Sequence, residues 1–273
     1  MTQGTLLSRA VTPRPREDAV TPREDAVTPR EDAAPPREDA APPRPREDLV
    51  ELLRPEGCAL LTVECQRGVV GPDGALPELA AVAQESGALG RVAQLVTAAH
   101  DTGVQVLHAV AERRADGRGA SRNAPLFRAV ERLPVRQLTG SAAVEIAEPV
   151  PVAAEDLVVR RLHGLSPIAG TEVDALLRNL GRRTLVIIGV SANVAIPAAV
   201  FDAVNLGYAA VVPEDAIAGV PASYTPAMVR HTLALVAAVT TADEVAACWR
   251  RTAVTPSRQT AAVTPSRSSF PAP

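Results

Sequence analysis

Glu64 closes the apolar run Ala59-Leu60-Leu61-Thr62-Val63, and a carboxylate at the end of a buried strand is placed for general acid or base work. Arg160 and Arg161 end another apolar run. A guanidinium pair there can hold an anion such as a small carboxylate, or close on Glu64 in a salt bridge. Ser191 and Asn193 follow the most continuous apolar run of the chain, Leu185-Val186-Ile187-Ile188 with its flanks. Ser191 offers a hydroxyl with no base evident beside it, and Asn193 reads as an amide that shapes the turn. His108 ends a further run just ahead of Glu112-Arg113, so it reads either as a satisfied histidine of the core or rim or as a contact to substrate. Cys58, Cys65 and Cys248 are too few and too widely spaced for a disulfide framework or a zinc site, and each reads as a small buried apolar residue. No His, Asp and Glu residues fall at metal-ligand spacing. Neither Gly-x-Gly-x-x-Gly nor Gly-x-x-x-x-Gly-Lys occurs, so no metal, nucleotide or other cofactor is expected.

The elements that must position these residues alternate. Strands are expected at 59–64, 104–110, 156–161, 184–190 and 208–212, with a short sixth at 236–240. Helical spacing runs from Leu89 to Gly103, from Thr171 to Leu180, from Pro197 to Asn205 or Leu206, from Tyr224 to Leu235 and from Ala242 to Trp249. Apolar strands alternating with helices mean a parallel sheet covered on both faces, a three-layer α/β/α sandwich. Ligands of such sheets bind beyond the carboxyl ends of the strands, where strand order reverses. That rule points to Glu64 and to the turn from Gly189 to Pro197.

Composition divides the 273 residues into a core and two tails. Residues 1–54 and 251–273 lack the branched and aromatic side chains that offset the entropy of ordering, and are expected to be disordered. Residues 55–250 can bury one core. The first tail repeats with period seven: Ala19-Val20-Thr21-Pro22-Arg23-Glu24-Asp25 recurs at 26–32 and, altered, at 33–39. The last tail reuses the word at 253–258 and 262–267. Proline in every copy argues against a coiled coil and for extended chain. The copies are either a low-complexity spacer or a multivalent docking motif for a protein partner, with Thr-Pro steps open to phosphorylation. A net charge of −3 without a basic stripe gives no footprint for nucleic acid. No apolar run suits a membrane span or a secretory h-region, so a cytoplasmic protein is expected. The sequence contains no lysine.

Four ordered blocks within residues 58–247 resemble the isochorismatase-like cysteine hydrolase superfamily. They are 59–66; Leu138-Thr139-Gly140 through 156–161; Gly170-Thr171-Glu172-Val173-Asp174-Ala175-Leu176-Leu177; and Gly189 to Ala203 followed by Gly207-Tyr208 and Asp215-Ala216. The resemblance implies a six-stranded parallel sheet in order 3-2-1-4-5-6, self-association, and chemistry by an Asp, a Lys and a Cys at a helix N-terminus. By position these fall on Glu64, Arg161 and Ala195. A longer carboxylate side chain, a guanidinium that does not exchange protons near neutrality, and a methyl group replace them. Isochorismatases proper also lack the Cys and use the Asp as proton donor on a vinyl ether. The expectation is a catalytically degenerate binding or scaffold protein docked through its repeat tails. The alternative is a hydrolase of a small amide or vinyl ether using Glu64 as acid or base.

Overall fold

Residues 47–253 are described by the computed structural model, and the rest of both tails, 1–46 and 254–273, lies outside them. Continuous apolar stretches form the strands of one parallel sheet: β1 (Cys58–Val63), β2 (Gln105–Ala111), β3 (Leu157–Arg161), β4 (Thr184–Val190), β5 (Ala209–Pro213), β6 (Ile217–Ala218) and β7 (Ala238–Thr240). Their order is β3-β2-β1-β4-β5-β7, with β6 paired to β4. The expected order of six is therefore present, with β7 in the sixth place. The two-residue β6 is an addition that no sequence pattern marked.

Every residue of β1 and of β4 is buried, because these central strands are covered on both faces. Alternation divides the core in two. Leu60, Val106, Val186 and Ile188 face α4 (Ala88–Thr102) and α9 (Ala242–Ala253), where Leu95 and Trp249 are fully buried. Leu61, Leu107 and Ile187 face α6 (Val173–Asn179) and α7 (Ala195–Asn205), against Leu177, Ile196 and Val200. The remaining helices are α1 (Glu47–Leu52), α2 (Arg67–Val70), α3 (Pro77–Glu85), α5 (Pro125–Val130) and α8 (Thr225–His231). None of the described helices is long and apolar enough to cross a membrane.

Three boundaries differ from expectation. Leu49 and Leu53 are fully buried, so the packed unit starts ahead of residue 55 with α1, half of whose residues are acidic. At the other end α9 runs three residues past 250. The helix expected over 224–235 breaks at Thr232, where φ is −125°, into α8 and a single tighter turn at 233–235. Asp215 sets the C-terminal element in place: its carboxylate accepts the Ala242 amide at 2.8 Å and pairs with Arg91 of α4 at 3.4 Å. Arg91 in turn reaches Asp243 at 3.0 Å, so one carboxylate both caps α9 and braces it on α4.

Candidate functional site

Strand order reverses between the parallel neighbours β1 and β4, and the chain leaves β1 abruptly there. Glu64 is the one non-glycine among the described residues with positive φ, at 52°. That conformation costs about 1 kcal/mol or more and persists where surroundings over-determine it. Here they do. The Glu64 amide donates to Ala109 O at 2.9 Å, and Cys65 O accepts from the Ala147 amide at 2.9 Å. Gln66, fully buried, donates to Ala111 O at 2.8 Å and accepts from the Ala111 amide at 2.9 Å. A side-chain amide thus continues the ladder between β1 and β2 for one more step, and the kink turns the Glu64 carboxylate toward β3.

There it meets Arg161, whose Nη2 donates to Glu64 Oε1 and, at 3.4 Å, to Leu165 O. The guanidinium is only 5 % exposed and the carboxylate 20 %. Arg161 Nη1 is shut off from solvent and has no hydrogen-bond partner among the described residues. Arg160 points elsewhere, to Glu112 at 3.4 Å, and Glu112 also accepts from Thr139 Oγ1 at 3.0 Å. Of the arginine pair, only Arg161 reaches the site.

Beyond the pair opens a cavity of about 570 Å³ lined by Glu64, Glu112, Arg161, Ser191, Asn193 and Ala195. Ala195 is the first residue of α7 and buried. The turn before it is tied down from within. Ser191 O accepts the amides of Val194 and Ile196, and Asn193 Nδ2 donates to Val220 O at 2.9 Å. Asn193 thus ties the turn to Val220 while lining the cavity. The outer wall is apolar, with Phe127 and Val130 of α5, Leu133, Leu162 and Leu165. Sequence reasoning missed that wall because a six-residue helix between loops carries no readable period.

His108 is a correction. It was a candidate for substrate binding, but its fully buried side chain does not line the cavity. His108 lies on the same sheet face as Val106, opposite Leu107 and Ala109, and pairs in register with Thr62. Its Nε2 meets Asp156 Oδ2 at 3.2 Å and its Nδ1 meets Thr62 Oγ1 at 2.8 Å. A carboxylate only accepts, so Nε2 carries the proton and Nδ1 accepts from the threonine hydroxyl. Asp156 also takes His100 Nε2 at 2.9 Å and the Ala153 amide at 2.7 Å. Burial holds the His108 imidazolium below its ordinary pKa, although Asp156 opposes this. The unfolded chain therefore binds this proton more readily than the folded one. Stability from His108 is present above about pH 6.5 and is lost as pH falls toward the folded value. Urea titrations between about pH 7 and pH 5 should show a shallower loss of stability in His108→Gln than in the wild type. Equal slopes would remove His108 from the account.

The cysteines supply no substitute nucleophile. Cys65 is buried and does not line the cavity, and burial pushes its thiol up to about 12. Cys58 and Cys248 are buried as well. No cluster of three His, Cys, Asp or Glu residues that could hold a metal occurs among the described residues.

Comparison with known proteins agrees with this frame. A search of the curated proteins found no match. Among solved structures, a cysteine hydrolase from Pseudomonas syringae pv. phaseolicola superposes with a TM-score of 0.64 at 22% identity, covering 78% of this chain and 100% of that one. An isochorismatase family protein from Desulfovibrio vulgaris gives 0.59 at 27%, over 68% and 95%. N-carbamoylsarcosine amidase from Thermoplasma acidophilum gives 0.54 at 22%, over 68% and 96%. The family model described as the isochorismatase domain matches residues 58–244, from β1 into α9, and on that match the chain belongs to the isochorismatase family.

Proposed function

We propose that this protein is a small-molecule-binding member of its family that has kept the cavity and given up covalent chemistry. One observation carries the reading. A cavity of about 570 Å³ ends on a closed Glu64–Arg161 pair, with the Ala195 methyl where a nucleophile at the start of α7 would stand. A methyl group forms no acyl intermediate, and a guanidinium held on a carboxylate moves no proton near neutrality. The apolar wall and the tied-down turn are what a preformed binding site requires. The repeat tails belong to the same proposal, as docking copies for a protein partner that bring the domain to its place of action. Self-association of the folded unit and a cytoplasmic location complete it, the latter in keeping with three cysteines that are all buried in the core.

A second reading rests on Glu64, whose carboxylate reaches the cavity and could protonate a vinyl ether or activate water on an amide. Relatives by structure include an amidase and a pyrazinamidase, the latter from Pyrococcus horikoshii. The full chain should be screened against small amides and enol ethers for turnover, and against a broad small-molecule set for thermal stabilisation. Saturable stabilisation without turnover is the expected result. Turnover that disappears in Glu64→Ala would sink the binding reading in favour of hydrolysis. Deleting residues 1–46 should shrink the set of captured partners, and an unchanged set would end the docking role.

A further inference from the structure

Building on the ligand-binding reading, we propose that the cavity takes an organic monocarboxylate with an apolar body, and that its carboxylate binds by taking Arg161 from Glu64. The first observation is an unspent donor. Arg161 offers five N–H groups in a fixed plane, yet among the described residues its acceptors are Glu64 and Leu165 O, both on Nη2. Nη1 is sealed from solvent without a partner among the described residues, in a side chain 5 % exposed. A buried donor in that state marks an acceptor still to arrive.

The second observation lies across the same cavity, at Ala195. Helix α7 has 11 residues, long enough for its N-terminus to favour an anion. Ser191 O already takes the amides of Val194 and Ile196, and Pro197 has none to give. The Ala195 amide makes no hydrogen bond among the described residues, so one first-turn donor is left at a residue that lines the cavity with Arg161.

Charge and shape then narrow the class. The other ionisable groups at the cavity are committed or at its edge. Glu112 is held by Thr139 and Arg160, Arg113 lies 3.6 Å from Glu131, and Glu78 is exposed on α3. His163 sits against Gly170, where even a Cβ would come within 2.9 Å of its ring. One cation and one anion therefore remain on the floor, room for a single incoming negative charge that competes with Glu64. A dianionic phosphate would exceed that balance. Phe127, Val130, Leu162 and Leu165 offer the rest of the ligand an aryl or branched aliphatic environment.

Benzoate and phenylacetate, with benzamide and phenylacetamide as neutral isosteres and inorganic phosphate as control, would be titrated by calorimetry into the full chain. The same titrations would be run on Glu64→Gln and Arg161→Gln, with melting followed in parallel. Each acid should bind about tenfold tighter than its amide in the wild type. In Glu64→Gln the acids should gain about another tenfold and raise the melting temperature more than they do in the wild type. Arg161→Gln should abolish the preference for acid over amide. Amides binding as tightly as acids in both wild type and Glu64→Gln would overturn the carboxylate class while leaving the binding reading intact. Acids that gain nothing from Glu64→Gln would overturn the competition. No binding of either acid to wild type or Glu64→Gln would overturn the proposal, and the broader screen above would then decide the underlying reading alone.

Discussion

Gly189→Ala should leave little folded protein, the largest effect expected of any single methyl group added to this chain. Gly189 stands in β4 opposite Val63 of β1 and Ile217 of β6, at the point where the sheet opens toward the cavity. Its φ is 109°, a region closed to side chains with a Cβ. The space is closed as well. A Cβ there would lie 2.4 Å from Val63 O, 2.8 Å from Cys65 Sγ and 3.0 Å from Val63 N. Two of these three atoms are backbone of the central strand, so relief requires β1 to move, and β1 is hydrogen-bonded on both edges. Strain and overpacking together should cost at least about 4 kcal/mol. Gly181→Ala is the control, since φ there is 67° but nothing lies within 4 Å of the added atom. That change should cost about 1 kcal/mol. Urea midpoints of the two variants that agree would show that the crowding at Gly189 does not matter.

The second large effect is an asymmetry at the Glu64–Arg161 pair. Glu64→Gln leaves a guanidinium in place that is 5 % exposed, and an uncompensated buried charge costs about 3 kcal/mol or more. Arg161→Met leaves a carboxylate that is 20 % exposed and borders a cavity wide enough for water, so the loss should be smaller. The double variant should be more stable than Glu64→Gln alone, because the charge that made the single change costly is gone. Equilibrium unfolding of the four proteins closes the cycle. Losses that simply add would mean the two side chains are not coupled, and the floor of the cavity would need another description.

What the sequence disclosed follows the strength of each local signal. Strands β1, β2, β4 and β5 were readable because both their faces are covered, leaving uninterrupted apolar runs that resemble nothing else. Strand β6 was not, since two residues after Asp215-Ala216 carry no period. Helix α1 was hidden by its neighbours: Leu49 and Leu53 pack into the core from a short stretch that directly follows the Pro-rich repeats. At the site, Glu64, Arg161, Ser191, Asn193 and Ala195 all line one cavity, as strand ends at a reversal of order predict. His108 failed for a reason available beforehand. Alternation along 104–110 puts it on the face away from α7, so nearness to the strand end does not bring it to the cavity. Gln66 was passed over for the opposite reason, because nothing in a lone glutamine announces that it will extend a backbone ladder.

The sheet order also governs when the molecule can be made whole. Its two middle strands are β1 and β4, so Cys58 must wait for Thr184 before the centre of the sheet can close. Strand β4 is in turn completed by Ala209 to Val211, and α4 by α9, near the end of the folded unit. A chain emerging from the ribosome at about 5–20 residues per second thus holds the buried central strand β1 unpaired on one edge for many seconds. Closure of loops this long makes the folding of such a sheet slow. During synthesis, then, the exposed edge of β1 rather than any surface of the finished domain is the place where a chaperone would be needed.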